Sequence, residues 1–437
     1  MNPQQYYQQV LERLQKAYQF SHYFVATGEE LAAETRDVIF PAVAASLDQL
    51  ETSTTGRGLE VHLPVIGERS QAVLMPLDIE IYLDEEQHKL YADPTEQKAL
   101  FRQVLPLMDF VEEIFRSRGM PYLLDYTPSG GHFLFQNRLE DRSTEAVRQI
   151  GVVEEDLVRA CQYTDAGDIR RWYGVSLEAA AVFSGLGRLA EYLALLAMQA
   201  FSGQEAPKLL PVTISDSARR CVNFDNTWSE GPPYLRAIRS PFSLHKKNRE
   251  KYGYRQQPPL VDVIGTLFDG NTAAGSRDRD FLLDCMWDLD KAAAHAGNFS
   301  GVIPCANDTL IDFVDEYRSS DLYLFHREFD GQPDLPRGQA LERARSEPDI
   351  PDWSRRILGD PNPAALQPVK LIGFVHDFLI HARWPARHIA NILRDLYQNP
   401  AFHWTQDFLL HPAEEKANYW ARTYCAVALW KTGRLRI

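Results

Sequence analysis

The hydrophobic pattern changes period several times along the 437 residues, and each change predicts a change of element. Tyr6, Val10, Leu11, Leu14 and Tyr18 recur at helical spacing, and a second amphipathic run, from Glu29 to Leu50, is bent or broken at Pro41. From Gly58 the period shortens. GLEVHLPVIG and SQAVLMPLDIEIYLDEE alternate, are rich in Val, Ile and Leu, and read as strands. Pro94–Arg118 returns to a helical period with a stop at Gly119. PYLLDYTPSGGHFLFQNR then reads as two short strands around a Gly-Gly turn. Residues 141–207 are mostly helical, and LLPVTIS, RRCVNFDNTW and YLRAIRSPFSLH restore strand character. From 260 onward helices dominate.

This pattern divides the chain into an N-terminal helical segment (1–57), an α/β core of antiparallel flavour (58–258) with a helical insertion at about 141–207, and a helical extension (259–327). Seven prolines (333, 336, 348, 351, 361, 363, 368) make 328–369 the best candidate for a linker. A C-terminal all-helical domain follows at 370–437. The most apolar helix, Leu177–Phe201, is interrupted by Glu178, Arg188 and Glu191, so it predicts a buried core helix rather than a membrane span.

Composition then narrows the classes. Hydrophobic residues make up 45% and charged residues 24%, which excludes a disordered chain. Lys and Arg number 46 against 60 Asp and Glu, a net charge of −14. A nonspecific DNA wrapper does not carry that balance, so any nucleic acid must meet a local basic strip. The N-terminus lacks a basic segment followed by an apolar one, which predicts no secretory signal. Five cysteines (161, 221, 285, 305, 425) show no C-x₂₋₄-C spacing. That argues against a zinc knuckle or disulfide scaffold and predicts a soluble cytoplasmic protein.

Four features carry chemistry. Asp78 and Glu80 lie two apart in the apolar strand MPLDIEIYL, so both carboxylates project from one face and suit a divalent cation. Ser129, Gly130, Gly131 and His132 follow a strand and open the next, where glycine backbone, hydroxyl and imidazole suit phosphate oxygens. Asp225 ends the apolar strand CVNFD and suits a third metal ligand. Between Arg236 and Arg255 seven Lys or Arg (236, 239, 246, 247, 249, 251, 255) face one acid, Glu250, a local reversal of sign suited to a triphosphate or a template backbone. Each also has an ordinary account by itself: a solvated acid pair, a hairpin turn, an Asx turn and a charged loop.

In combination and in order, the four resemble the archaeo-eukaryotic primase superfamily, which includes primase-polymerases and the polymerase domains of bacterial end-joining ligases. Asp78 and Glu80 match its D-x-D/E motif, and Ser129 and His132 match in shortened form its S-x-H or S-G-x-G-x-H motif, without the basic residue often found between them. Asp225 matches the strand-end Asp. Arg239, Pro241, Ser243, Leu244, His245 and Lys247 match the front half of an R-x-P-x-S-L-H-x-K-T-G element whose tail here reads NREKYG. The resemblance spans roughly 60–255. It implies an α/β (α+β) catalytic core whose active sheet is like an RNA-recognition motif. Asp78, Glu80 and Asp225 then hold two ions, Mg²⁺ or Mn²⁺, with no zinc. Ser129, Gly130, Gly131, His132, Arg239, Ser243, His245 and Lys246 bind the nucleotide.

The implied activity is template-dependent primer synthesis or extension by two-metal nucleotidyl transfer. Its partners are single-stranded DNA, nucleoside triphosphates and a separate helicase or replication or defence protein, since the chain has no G-x₄-G-K-S/T loop; no membrane is involved. An extension-only repair polymerase of the same superfamily and a non-catalytic nucleic-acid-binding shell are the alternatives. A priming role for Lys370–Trp430 is drawn from Arg383, Arg387, His388 and Arg394 beside Trp384, on the expectation that they are exposed.

Overall fold

The computed structural model describes residues 1–17, 23–26, 43–45, 50–66, 71–82, 91–153, 176–203, 208–210, 221–229, 237–246, 253–254, 257, 259–276, 278–306, 308–360, 366, 368–399 and 413–437. Within them the fold is mixed α/β. Thirteen strands are described: β1 Tyr23–Ala26, β2 Val43–Ala45, β3 Glu60–Pro64, β4 Ala72–Tyr82, β5 Tyr122–Thr127, β6 Gly130–Arg138, β7 Lys208–Leu210, β8 Cys221–Asp225, β9 Ala237–Arg239, β10 Leu244–His245, β11 Leu260–Val261, β12 Val263–Phe268 and β13 Ala273–Gly275. Seven form the main sheet, in the order β13-β12-β5-β6-β4-β8-β7. Its pairs are antiparallel except β7 with β8. A smaller sheet has the order β2-β1-β3-β9, and β10 pairs with β11. Strand β2 thus lies in the run expected to be helical from Glu29 to Leu50. Strands β11, β12 and β13 replace the start of the expected helical extension 259–327, because β12 pairs with β5 and extends the main sheet.

The amphipathic N-terminal run forms α1 (Pro3–Ala17) with Tyr6, Tyr7, Val10 and Leu14 buried; Tyr18 lies outside the described residues. Helix α2 spans Pro94–Phe101, capped by the Asp93 carboxylate, and α3 spans Leu105–Ser117. Phe115 of α3 packs edge-on against Phe133 and Phe135, with centroids 5.7 and 6.0 Å apart. Because side chains alternate along a strand, the odd positions of β6 face α3 and His132 faces the other way.

The turn between β5 and β6 is Pro128–Ser129, and the two glycines lie inside β6. Their reason is close packing. A Cβ on Gly130 would stand 1.8 Å from the carbonyl oxygen of Ile79 on β4, and one on Gly131 would stand 2.6 Å from Met108 on α3. Glycine lets β6 run close to its neighbours, a role different from opening amides to a ligand.

Helix α4 (Arg142–Ile150) and the long α5 (Leu177–Ala200) come from the insertion. Helix α5 has the length and apolarity to cross a membrane, yet it is mostly buried within the fold. After the main sheet come α6 (Arg279–Trp287), α7 (Leu289–Ala296), α8 (Thr309–Arg318) and α9 (Asp321–Gly331). They are followed by α10 (Gln339–Arg345), α11 (Asp352–Gly359), α12 (Pro368–His376), a π turn at Asp377–His381, α13 (Ala386–Tyr397) and α14 (Ala413–Lys431).

The proline-rich stretch 328–369 differs from the predicted linker. Phe329, Ala340, Ala344, Ile350, Ile357, Leu358 and Leu366 are buried in one apolar cluster with α12, α13 and α14. The described prolines (333, 336, 348, 351 and 368) sit between short helices and at helix starts, where a missing N–H costs little, and Pro361 and Pro363 lie outside the described residues. Two basic residues of α13, Arg387 and Arg394, are likewise engaged within the protein, and His388 is partly buried. Arg387 makes paired bonds of 2.7 and 2.8 Å to Asp334, and Arg394, almost wholly buried, donates to the Leu335 carbonyl at 3.0 Å. Trp384 donates to Glu347 at 2.8 Å, and Arg383 stays exposed.

A polar knot joins these helices to α5. Glu191 accepts from Arg422 of α14 and lies 3.2 Å from His326 Nε2, while Arg188 bonds Asp330 at 2.8 Å. Arg422 outweighs the burial of Glu191 and holds its carboxyl well below the usual carboxylate range. Arg422→Ala leaves a buried carboxylate uncompensated, and urea denaturation is expected to register a loss of about 3–5 kcal/mol. Gly130→Ala is expected to cost about 3 kcal/mol in the same assay, because the new methyl meets backbone rather than a yielding side chain. A midpoint unchanged by either substitution contradicts the corresponding contact.

Candidate functional site

Cross-strand register assembles a row of ionisable residues on the face of the main sheet away from α3. Asp78 on β4 stands opposite Asp225 on β8 and opposite His132 on β6, and His132 stands opposite Asp125 on β5. Residues directly opposite in antiparallel pairs share a face, so the four form one line across four strands. Glu80, two residues beyond Asp78, faces the same way. His132 Nε2 lies 3.7 Å from Asp78 Oδ1, and its Nδ1 lies 3.4 Å from Asp125 Oδ1.

The smaller sheet supplies the opposing wall. His62 on β3 pairs in register with Arg239 on β9, and Glu60 shares their face. Arg239 Nη1 lies 3.5 Å from Asp262 Oδ2, and its Nε lies 3.8 Å from Glu60 Oε1. His62 Nε2 is 3.5 Å from Glu60. Asp262, at the junction of β11 and β12, thereby links Arg239 to the row on the main sheet.

The segment after β9 is held rigidly. Ser240-Pro241-Phe242-Ser243 closes a turn through Ser243 N–H to the Ser240 carbonyl at 3.0 Å. Proline presets the first central position, and Phe242 takes the left-handed second position at φ 67°. A non-glycine residue there costs of order 1–3 kcal/mol and persists only where its surroundings enforce it. They do. Phe242 is buried, its carbonyl accepts from Tyr6 OH at 3.0 Å, and Tyr7 OH accepts from Leu244 N–H at 3.1 Å and donates to the Leu59 carbonyl at 2.6 Å. The two tyrosines of α1 thus position β10.

Burial and crowding set the charges. Burial first, and then the neighbouring Asp225 charge, pushes the Asp78 carboxyl up to about 6 against the opposing pull of His132. Burial likewise raises Asp262 to about 7, with Arg239 opposing and Asp125 adding to it. For His132 burial alone would lower the pKa, but Asp125 and Asp78 outweigh it and lift it to about 9. Burial works against ionisation of Glu60 too, yet Arg239 and then His62 hold its carboxyl well below the usual carboxylate range.

The fold therefore brings Asp78, Glu80, Asp225 and His132 to one face, with Arg239 and His245 behind. His245 is buried and stacks on Tyr91 at 5.8 Å between centroids. Ser129 is buried at the β5–β6 turn, where its carbonyl accepts from Ile81 N–H at 2.8 Å. Two residues expected to grip phosphate are engaged within the protein. Ser243 Oγ accepts from Val61 N–H at 2.9 Å, and Lys246 bonds the Glu60 carboxylate through its backbone and the Gly58 carbonyl through its side chain. Gly130 and Gly131 serve strand packing as described above. Lys247 lies outside the described residues.

Asp125, Asp262, Glu60 and His62 belong to this site and were not singled out from the sequence. Their signal was the one that marked Asp78, an ionisable residue inside an apolar strand: L-E-V-H-L, L-L-D-Y and L-V-D-V-I. Asp125, His132 and Asp262 can each bring one ligand atom within 4.8 Å of the other two, a tighter group than the register-paired Asp78, Glu80 and Asp225. Compared with protein-family models, curated proteins and solved structures, the chain matches none.

A pH dependence follows from the raised pKa values. Asp78 and Asp262 keep protons that the unfolded chain releases near pH 4, and His132 keeps one released near pH 6.5. The folded state then holds more protons between about pH 4 and the His132 value of about 9, so these groups make stability fall as pH rises across that interval. In EDTA, the urea midpoint is expected to decline over this range, and Asp262→Asn to remove the part that falls between about pH 4 and about pH 7. A midpoint that climbs with pH over the same range contradicts this charge arrangement.

Proposed function

We propose that the protein is a template-dependent nucleotidyltransferase that makes or extends primers from nucleoside triphosphates, in the manner of a primase-polymerase. One observation carries the reading. The three motif acids and the motif histidine, separated by up to 147 positions from Asp78 to Asp225, meet on one sheet face with Asp78 directly opposite both Asp225 and His132. Divalent ions fit the donor set. Burial, and then the charge of Asp225 opposite, holds the Asp78 carboxyl above its ordinary range, and a hard cation held by carboxylate oxygens offsets both costs.

Asp78, Glu80 and Asp225 would hold two ions, Mg²⁺ or Mn²⁺. When bound, such ions lower the pKa of the attacking 3′-hydroxyl and neutralise charge on the α-phosphate and the leaving pyrophosphate. The chain's own residues orient the nucleotide. Nε2 of His132 is directed to the edge occupied by Asp78, where a phosphate oxygen is within reach of an N–H donor. Arg239, held by Glu60 and Asp262 on the opposite wall, would offer its guanidinium to the phosphates. Base pairing with the template selects the nucleotide, so the protein has only shape and backbone to read.

A second reading, a nucleic-acid-binding shell without catalysis, draws on the internal engagement of Ser243 and Lys246, which leaves fewer groups for a triphosphate. One assay separates the two. Full-length protein is given a single-stranded DNA template, with or without primer, and labelled ribo- or deoxyribonucleotides in Mg²⁺ or Mn²⁺. Incorporation is expected, and Asp78→Asn and Asp225→Asn are each expected to reduce it about 10³-fold, the loss of several kcal/mol of charge stabilisation, at unchanged melting temperature or above. Template binding without incorporation under every condition favours the shell.

A further inference from the structure

On the side of His132 away from Asp78, both oxygens of Asp125, both oxygens of Asp262 and Nδ1 of His132 make no hydrogen bond. Asp125 and Asp262 have no exposed surface and His132 has 4%. The nearest donors, His132 Nδ1 and Arg239 Nη1, stand 3.4 Å from Asp125 and 3.5 Å from Asp262, too far for good hydrogen bonds, so burial of these carboxylates is only partly compensated. Arg239 approaches Asp262 but is shared with Glu60.

We propose that Asp125, His132 and Asp262 form a buried site for one first-row divalent cation, Mn²⁺ or Zn²⁺, separate from the ions of the Asp78 edge. The separation of 3.4 Å between His132 Nδ1 and Asp125 Oδ1 exceeds the usual N–H···O range of about 2.7–3.2 Å. It is about the span of two ligands that each lie roughly 2.1 Å from a shared tetrahedral ion. The donor set selects the ion. One imidazole and two carboxylates suit Mn²⁺ or Zn²⁺, whereas Mg²⁺ prefers oxygen alone and keeps several waters, for which this dry position is unsuited.

The other ring nitrogen completes the argument. A metal-binding histidine usually turns its remaining N–H to a carboxylate, and Nε2 of His132 faces Asp78 at 3.7 Å. An ion on Nδ1 then fixes the tautomer that points an N–H at the Asp78 edge. Cysteine spacing is blind to such a site, since it contains no sulfur. The inference does not rest on the proposed polymerase activity, and its test reads no nucleotide incorporation, so either can fail alone.

The full chain is stripped with EDTA, returned to Mg²⁺ buffer, exposed to Zn²⁺ or Mn²⁺ and desalted. About one equivalent is expected to remain bound and to raise the melting temperature. Asp262→Asn is expected to lose that ion and Asp225→Asn to keep it. Co²⁺ placed in the wild-type site is expected to give the strong visible absorption of a four- or five-coordinate nitrogen–oxygen set. No retained ion, or loss in Asp225→Asn with retention in Asp262→Asn, overturns the proposal and leaves His132 as an imidazolium between carboxylates. If Asp262→Asn does not fold, the wild-type Co²⁺ spectrum decides: intense absorption supports the site, and the weak absorption of hydrated Co²⁺ overturns it.

Discussion

A carboxylate taken out of water must find a cation, a proton or hydrogen-bond donors, and the two sheets of this protein are arranged around that requirement. The main sheet alone places Asp225, Asp78 and Asp125 in one line with a single imidazole among them. The smaller sheet answers with Arg239, itself steadied by Glu60. Neither face is electrically satisfied without the other. That complementarity gives a reason for the two sheets to stay packed that apolar contact by itself does not supply.

The remaining elements fix this opposition in place. Helix α3 covers the apolar side of the main sheet through Phe115, and the ionisable row lies on the opposite face, toward Arg239 of the smaller sheet. Helix α1, far away in sequence, reaches the turn after β9 with two tyrosine hydroxyls and holds Phe242 in a conformation it would not keep unaided. The C-terminal helices are tied to α5 by the Glu191–Arg422 pair and share α14 between two apolar clusters. They are an integral layer of the fold. Any contribution they make to priming therefore comes through contact with the core rather than through a tether.

The same electrostatics tie the site to its proposed chemistry. Acids that repel one another without cations are a poor way to build a stable sheet, and their cost is intelligible where ions or a polyanionic substrate with its ions are to be held. The position of His132, with one ring nitrogen toward the Asp78 edge and the other toward Asp125 and Asp262, makes it the link between the outer acids and the buried ones.

Much of this was legible along the chain. Period-two alternation around L-D-I-E-I placed Asp78 and Glu80 on a strand face, helical spacing found α1 and α5, and the order of the four motifs drew attention to His132, Asp225 and Arg239. What alternation cannot give is the neighbour: it fixes which side a residue faces, while register between strands distant in sequence decides what stands opposite. Only the tertiary structure set Asp78 between Asp225 and His132, brought Asp125 and Asp262 behind them, and committed Ser243 to the Val61 amide of β3 and Lys246 to Glu60 and the Gly58 carbonyl. It decided the fate of the prolines and arginines near the C-terminus for the same reason. Composition marks them as breakers and charges, but whether a short helix between two prolines is buried, or an arginine finds an internal Asp334, depends on partners that no local window contains.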